Sequence, residues 1–461
     1  MNRKTTQITL IVAVMLCGVQ LKAQDWTPLF NGKDLKNWEQ IGGEAKYEIR
    51  GDAIVGIAVP KTRNSFLTTK ETYTDFILEY EVHTDSEVNS GVQIRSNTDP
   101  NYRKGVFHGY QIELDPSDRA WSGGVYDEQR RGWLYPLTRN PEGQKAFKRA
   151  AWNKYRIQAI GNTISTWVNG VQCARLVDDM TAEGKIGLQV HSIREGSGLE
   201  GTEIKWRNVR IATTNLEELR WEDDPTVPEF SYLHNQLTDW EQSKGWRMLW
   251  DGKTSNGWKG AKLDGFPESG WSIADGVLTI EATDGAESTG PGDIVTTKNY
   301  GDFELELEFM ITEGANSGIK YFVDPKLNKG AGSAIGCEFQ VLDDKNHPDA
   351  KKGVIGNRTV GSLYDLIAAK NLSEPSRDGK RFNGVGRWNK ARIVSRDGKV
   401  EHWLNNIKVV EYDRFSQMFA ALVNYSKYQK WENFGRWSAG SILLQDHGDT
   451  VSYRSIKIRE L

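Results

Sequence analysis

Three cysteines and seven histidines in 461 residues set the first limits on this chain. So few thiols exclude a disulfide scaffold, and a chain of this length does not need one to bury a core. One thiol, Cys17, lies in an N-terminal apolar run; Cys173 and Cys337 remain, one in each half. Apolar runs are equally scarce. The stretch Ile8 to Val19, preceded by Arg3 and Lys4 and followed by Leu21-Lys22-Ala23, has the layout of a secretory signal peptide cleaved after Ala23. It is short for a membrane span, so an uncleaved anchor is the lesser alternative. Lipoprotein processing at Cys17 is another, against which stand bulky Met15 and Leu16.

A polybasic run is also missing. Removing Arg3, Lys4 and Lys22 with residues 1–23 changes 59 basic against 62 acidic residues to 56 against 62. A mildly acidic chain without a basic cluster argues against a nucleic-acid partner. There is no Gly-x-Ser-x-Gly elbow, no His-Glu-x-x-His helix and no phosphate loop, which sets aside the hydrolases, zinc peptidases and nucleotide enzymes that use them. No long amphipathic helix is legible. After signal cleavage the chain is expected to be exported, periplasmic or cell-surface, with no membrane span.

What is present is a duplication. Trp26-x-x-Leu29-Phe30-Asn31-Gly32-Lys33 recurs as Trp246-x-x-Leu249-Trp250-Asp251-Gly252-Lys253, and Trp38 keeps the same offset to Trp258. Tyr73-Thr74-Asp75-Phe76 and Tyr300-Gly301-Asp302-Phe303 open segments in which Phe76, Leu78, Tyr80 and Val82 match Phe303, Leu305, Leu307 and Phe309. Glutamates fill the alternate places, as in strands with one buried face. Asn89-Ser90-Gly91 matches Asn316-Ser317-Gly318, Trp152-Asn153 matches Trp388-Asn389, and each copy ends on Gln-x-His, as Gln189-Val190-His191 and Gln445-Asp446-His447. The spacing of the last landmarks places an insertion in the second copy near Arg414 to Trp437, whose aromatics either line a sugar site or pack on one another. The expected division is a signal peptide over 1–23, a first domain over 25–212, a solvated linker over 213–244 whose Leu216-Leu219 and Tyr232-Leu233 are able to dock on a domain, and a second domain over 245–461. Many short alternating strands with glycine turns predict an all-β fold: two tandem antiparallel sandwiches of jelly-roll type.

Candidate chemistry falls on the polar faces of these strands. Glu338 and Gln340 share a face in Gly336-Cys337-Glu338-Phe339-Gln340-Val341; Gln111 and Glu113 do so in the first copy, with amide and carboxylate exchanged. Such a pair can hold sugar hydroxyls, and the carboxylate can move protons; a solvated sheet face is the plain alternative. Asp343 and Asp344 with His347, His402 and His447 are candidate ligands for a divalent metal ion, although their spacing follows no ligand rule and a hydrogen-bonded loop would use the same residues. A retaining glycosidase of the two-carboxylate type is disfavoured, because neither strand repeats its glutamate at the needed interval.

Taken together, Trp-x-x-Leu-Phe-Asn-Gly-Lys, Asn-Ser-Gly, Gly-Cys-Glu-Phe-Gln-Val-Leu-Asp-Asp, His-Pro-Asp-Ala-Lys, Gly-Ser-Leu-Tyr-Asp-Leu, Glu-His-Trp-Leu-Asn and Leu-Gln-Asp-His-Gly-Asp resemble the 3-keto-disaccharide hydrolase domain family. The likeness spans Asp25 to Ala212 and Gly245 to Leu461. It is looser in the first copy, which lacks the Asp-His-Pro-Asp-Ala-Lys-like loop and has Val190 in place of Asp446. The resemblance implies concanavalin A-like sandwiches and action on 3-keto-glycosides in exported glycan-degrading systems.

A ketone at C3 acidifies the C2 hydrogen of a sugar, so that a base can remove it and the glycosidic oxygen on C1 can leave; water addition then gives net hydrolysis. The expected base is His447 or Glu338, the acid is the other of these or Asp343, and Lys320, His402 or a divalent metal stabilises the enolate. Gln340, Arg358, Tyr364 and Gln445 complete the expected substrate contacts of the second copy. Arg95, Gln111, Glu113, Gln189 and His191 form those of the first. A sugar 3-dehydrogenase upstream is the expected partner. The alternative, from another class, is a non-catalytic carbohydrate-binding or scaffold protein for that oxidoreductase.

Overall fold

The computed structural model describes residues 25–283, 291–324, 326, 333–374 and 377–461. The expected signal peptide lies outside the described residues. Those residues form four sheets, two from each half of the chain. In the first half, Phe76–Thr84 sits between Asn153–Ile160 and Glu203–Ala212 in a nine-stranded sheet. Facing it, seven strands run in the order Gly132–Tyr135, Val125–Glu128, His108–Leu114, Ser90–Asn97, Lys185–Val190, Ser65–Thr69, Trp38–Gly42. In the second half, Phe303–Ile311 lies between Asn389–Arg396 and Val451–Glu460 in an eight-stranded sheet. It is faced by Trp258–Gly260, Ile294–Thr296, Ser441–Leu444, Asn316–Asp324 and Ile335–Leu342. Apart from one short parallel pair, the strands are antiparallel, and the all-β fold of two tandem sandwiches is as the sequence predicts.

Alternation makes each sandwich. Phe76, Leu78, Tyr80 and Val82 in the first copy, and Phe303, Leu305, Leu307 and Phe309 in the second, are buried on the inner faces. Phe309 meets Phe339 of the facing sheet at 6.4 Å between ring centroids, and Phe303 meets Tyr321 at 6.2 Å. Each such side chain contributes about 1.5–3 kcal/mol on burial. The expectation of one buried face per strand is corrected by the glutamates between them. Glu304, Glu306 and Glu308 are themselves buried, because the first copy lies against that sheet and Arg139 reaches Glu304 at 3.6 Å and Glu306 at 3.8 Å. Arg392 and Arg459 also bond Glu304, and these cations hold its carboxyl at about 2 against the cost of burial.

The segment after 212 is not simply a solvated linker. Phe230–Ser231 pairs in parallel with Leu176 and Val177 and extends the nine-stranded sheet. Asp223 accepts from Gln172, and the Asp224 N–H donates to Gln172 at 2.6 Å. Tyr232 donates to Leu134 O at 2.9 Å and accepts from Asn406 at 3.0 Å, so it ties the two copies together.

The insertion in the second copy forms Gln417–Asn424 and a short turn of helix over Lys427–Lys430. Tyr428 stacks on Phe434 at 4.0 Å and Phe419 on Tyr412 at 5.4 Å, so its aromatics pack on one another and on the sandwich, while Lys427, Lys430 and Trp431 line a cavity. Among the described residues no helix is long and apolar enough to cross a membrane. Cys173 and Cys337 are free thiols, buried in separate halves.

Candidate functional site

The five-stranded sheet of the second copy turns a polar strip outward. Asn316–Asp324 pairs with Ile335–Leu342 so that Lys320 lies opposite Glu338 and Gly318 opposite Gln340; on its other side the Gln445 N–H donates to Gly318 O at 3.0 Å. Inner-face residues Ile319, Tyr321, Cys337, Phe339, Ile442 and Leu444 are buried in the sandwich, which fixes the register. Gly318 leaves the room that Glu338 occupies: a Cβ there would stand 2.2 Å from Glu338 Oε1. Lys320, Glu338 and Gln445 open into a cavity of about 220 Å³ walled by Lys427, Tyr428 and Trp431. Gln340 bonds Asn316 at 3.1 Å, and the Asn316 N–H donates to Asp449 at 3.0 Å.

At that end of the strip His347, His447 and Asp449 come together. They offer atoms all within 4.8 Å of one another, and the two imidazole rings stand 5.9 Å apart, nearly perpendicular. Such a nitrogen and oxygen set is within the range of a divalent ion. His347 Nδ1, however, accepts the Asp349 N–H at 3.1 Å, which places the proton of a neutral ring on Nε2. His347 therefore presents a donor, and an ion would take it as a ligand only by breaking that cap. Burial and the neighbouring His447 hold His347 below its ordinary pKa, which favours the neutral ring. Asp449 is the residue that motif reading passed over; its signal was His447-Gly448-Asp449, two side chains of one turn.

Several expected residues are elsewhere. His402 is fully buried in the sandwich with Nε2 on the Tyr321 hydroxyl at 2.7 Å and Nδ1 on Gly361 O at 3.0 Å, and burial lowers its pKa to about 4. It is part of the core of the second sandwich. Asp343 is a loop brace: its carboxylate accepts from the Gly314 N–H and from Asn346 Nδ2, both at 2.8 Å, and from the Lys345 and Asn346 N–H groups, which hold it below its ordinary pKa. That leaves it a poor acid. Asp344 accepts from the Val360 N–H and pairs with Lys380 at 2.7 Å. Arg358 is spent on Asp349 and Asp365, and the Tyr364 hydroxyl donates to Asp349 at 2.7 Å, so both shape the loop behind His347.

The first copy has a cleft of about 1060 Å³ on its seven-stranded sheet. Gln93 lies opposite Gln111 and Gly91 opposite Glu113, with Gln189 on the next strand. Glu113 accepts from Asn89 and, at 3.1 Å, from Gln111; burial nevertheless raises its pKa to about 7. His191 lines the same cleft. Arg95 does not: its guanidinium is buried at the end of the sandwich on Thr74 O, Gly161 O and Asp75, because a bulge with φ of 46° turns it away from the strand's alternation.

Both halves match one family model, the 3-keto-alpha-glucoside-1,2-lyase-like domain, over residues 25–212 and 245–459. The chain belongs to that family, in two copies. A 3-keto-disaccharide hydrolase of Bacteroides thetaiotaomicron is 36% identical over 237 residues, covering 47% of this chain and 79% of the relative. Among solved structures, a protein of Parabacteroides distasonis named as a candidate glycosyl hydrolase is 30% identical, covers 50% of this chain and 100% of its own, and superposes with a TM-score of 0.43. A carbohydrate-binding module from Bacillus subtilis is 14% identical with a TM-score of 0.28, covering 38% of this chain and 95% of its own. The protein is thus a carbohydrate-active, 3-keto-disaccharide hydrolase-like member of its family.

Proposed function

We propose that this is an exported enzyme that cleaves the glycosidic bond of 3-keto-glycosides by elimination, and that the second copy carries the reaction. One observation carries the reading: among the described residues, it is there that the polar strip runs into a cluster of two histidines and an aspartate. Glu338 takes the C2 proton, and the C–H electron pair passes into the enolate of the C3 ketone. The enolate then expels the C1 oxygen, forming the C1=C2 double bond, and the leaving oxygen takes a proton from His447. Addition of water across that bond returns the sugar. The Nε2–H of His347 and Lys320, whose ammonium would turn from Ala334 O at 3.3 Å and Asp293 at 3.7 Å, are the donors for the enolate oxygen. A divalent ion held by His447 and Asp449 would supply Lewis-acid stabilisation of the same oxygen, and the leaving oxygen would then take its proton from water instead of from His447.

The ketone has to be made first, so a sugar 3-dehydrogenase acts upstream, and the N-terminal apolar segment supports export. The test is release of the aglycone from a 3-keto-glucoside and from its unoxidised parent, with and without chelator. Release from the keto sugar alone, falling by about 10²–10⁴ in Glu338→Gln, is expected. Unchanged turnover in folded Glu338→Gln or His447→Ala would end the assignment, and sugar binding without cleavage would favour a binding or scaffold protein. Inactivation by chelator, restored by one metal, would add the ion to the site.

A further inference from the structure

The cleft of the first copy does not contain what the second uses. Among the described residues His191 stands without a second histidine or an aspartate beside it to form a group like that at His447. Yet it is the larger hollow, about 1060 Å³ against about 220 Å³. Gln111 and Glu113 lie in its lining, and Oε1 of Gln111 meets no partner among the described residues. Gln93 and Gln189, on the two strands beside it, are fully buried and do not line the cleft. A buried amide oxygen without a partner is costly, and a sugar hydroxyl in the cleft would satisfy it.

The walls say more about the ligand. Trp133 and Tyr126 supply aromatic surface, and Arg119 lies over the rings of Trp121 at 4.8 Å and Trp133 at 4.9 Å. Arg381 of the second copy closes the cleft from the other side, 5.4 Å from Trp121, held by both oxygens of Glu374. Six cations line the hollow (Arg63, Arg103, Lys104, Arg119, Arg377 and Arg381) against Glu113 and Glu128. Counting in Asp115 and Glu374, which hold Arg119 and Arg381, leaves six against four. Arg63, Arg103 and Lys104 stand exposed at the rim, and Glu113, with a pKa of about 7, carries only part of a charge at neutrality.

We propose that the cleft of the first copy is a binding site for an acidic saccharide, with hydroxyls on Gln111 and Glu113 and a carboxylate or sulfate at the cationic rim, and that the second copy completes it through Arg381. A carboxyl with no histidine and aspartate cluster beside it among the described residues makes this a site that holds glycan without cleaving it, separate from the reacting centre.

The experiment is calorimetric titration of the full chain carrying Glu338→Gln, so that the outcome stands whether or not the second copy is the catalyst. The probes are trigalacturonate, a sulfated galactose disaccharide and neutral cellotriose. At least one acidic probe should bind about tenfold or more tightly than cellotriose, with an affinity that falls as salt rises. Preference between the two acidic probes identifies carboxylate or sulfate as the recognised group. Gln111→Leu and Arg381→Ala should each weaken that binding about tenfold or more, and the exposed change Lys104→Ala, which cannot disturb the core, should weaken it measurably. Equal affinity for the neutral sugar, no binding of either acidic probe, or binding that survives Gln111→Leu, Arg381→Ala and Lys104→Ala would overturn the proposal.

Discussion

Replacing Glu113 by glutamine tests the electrostatics of the first cleft at almost constant shape. Burial raises this carboxyl from an ordinary 4.5 to about 7 despite the hydrogen bonds from Asn89 and Gln111 and the Arg119 guanidinium 4.0 Å away. The folded protein therefore holds a proton between pH 4.5 and 7 that the unfolded chain has released, and native stability falls as pH rises through that window. At 1.36 kcal/mol per tenfold, the loss amounts to about 3 kcal/mol above pH 8. Glutamine cannot ionise and escapes it. It brings a different cost: its amide nitrogen would face Gln111 Nε2, donor against donor, for about 1 kcal/mol that is the same at every pH. Urea unfolding of both proteins from pH 4 to 9 separates the two. The variant should start level with or slightly below the wild type in acid, gain on it between pH 4.5 and 7, and then run parallel about 2 kcal/mol above it. A gap that does not change with pH would refute the claim that Glu113 is a carboxyl desolvated in the folded state.

Other consequences can be measured in the same way. Glu304, held at about 2 by Arg392, Arg139 and Arg459, contributes stability that is present above 4.5 and lost as pH falls toward 2. Glu304→Gln should cost about 3 kcal/mol at pH 7 by urea unfolding, and a cost under about 0.5 kcal/mol would show the cluster to be solvent-screened. His402, lowered to about 4 by burial, must take up a proton on unfolding below pH 6.5, so stability drops by about 3 kcal/mol between pH 6.5 and 4; His402→Phe should flatten that limb of the profile. Gly318→Ala puts a methyl 2.2 Å from Glu338 Oε1 at a backbone conformation any residue can adopt. Turnover of a 3-keto-glucoside should fall about tenfold or more, because the base is displaced, with the thermal midpoint little moved; full activity would place the base elsewhere.

The strands, the duplication and the location of the insertion were legible because alternation and repeated spacing are local properties of a chain. What alternation cannot reveal is which elements cover the second face. Glu304 and Glu306 have the pattern of a solvated face and are buried, since the other copy supplies the arginine that pairs them. Arg95 shares its strand with Gln93, but a bulge between them breaks the phase on which face assignment depends, and Phe322 with φ of 52° marks the same break in the second copy. His402 was readable after all: it lies in phase with Val400 and Leu404, both buried, and the strand's own period puts it inside. The contribution of Glu374 and Arg381 to the first cleft had no signal, because they are more than 250 positions from Trp121 in the chain and only the docking of the copies brings them there.

The segment between the copies gives the molecule an unusual response to being cut. Asn235 bonds Gly276 O and the Ser455 N–H, each at 2.8 Å, Ser231 O accepts from Lys390 at 2.8 Å, and Phe230–Ser231 is a strand of the first sandwich. The connection thus behaves as a splint glued to both halves, and the peptide bonds around 222–226 carry little of the load. A protease that nicks the chain there should leave two fragments that travel as one particle, while either half produced alone should come out sticky, with charged strand faces and half a cleft laid bare. Descendants of such a duplication are not free to part: once one half lends an arginine to its sibling's hollow, losing the lender leaves that hollow incomplete.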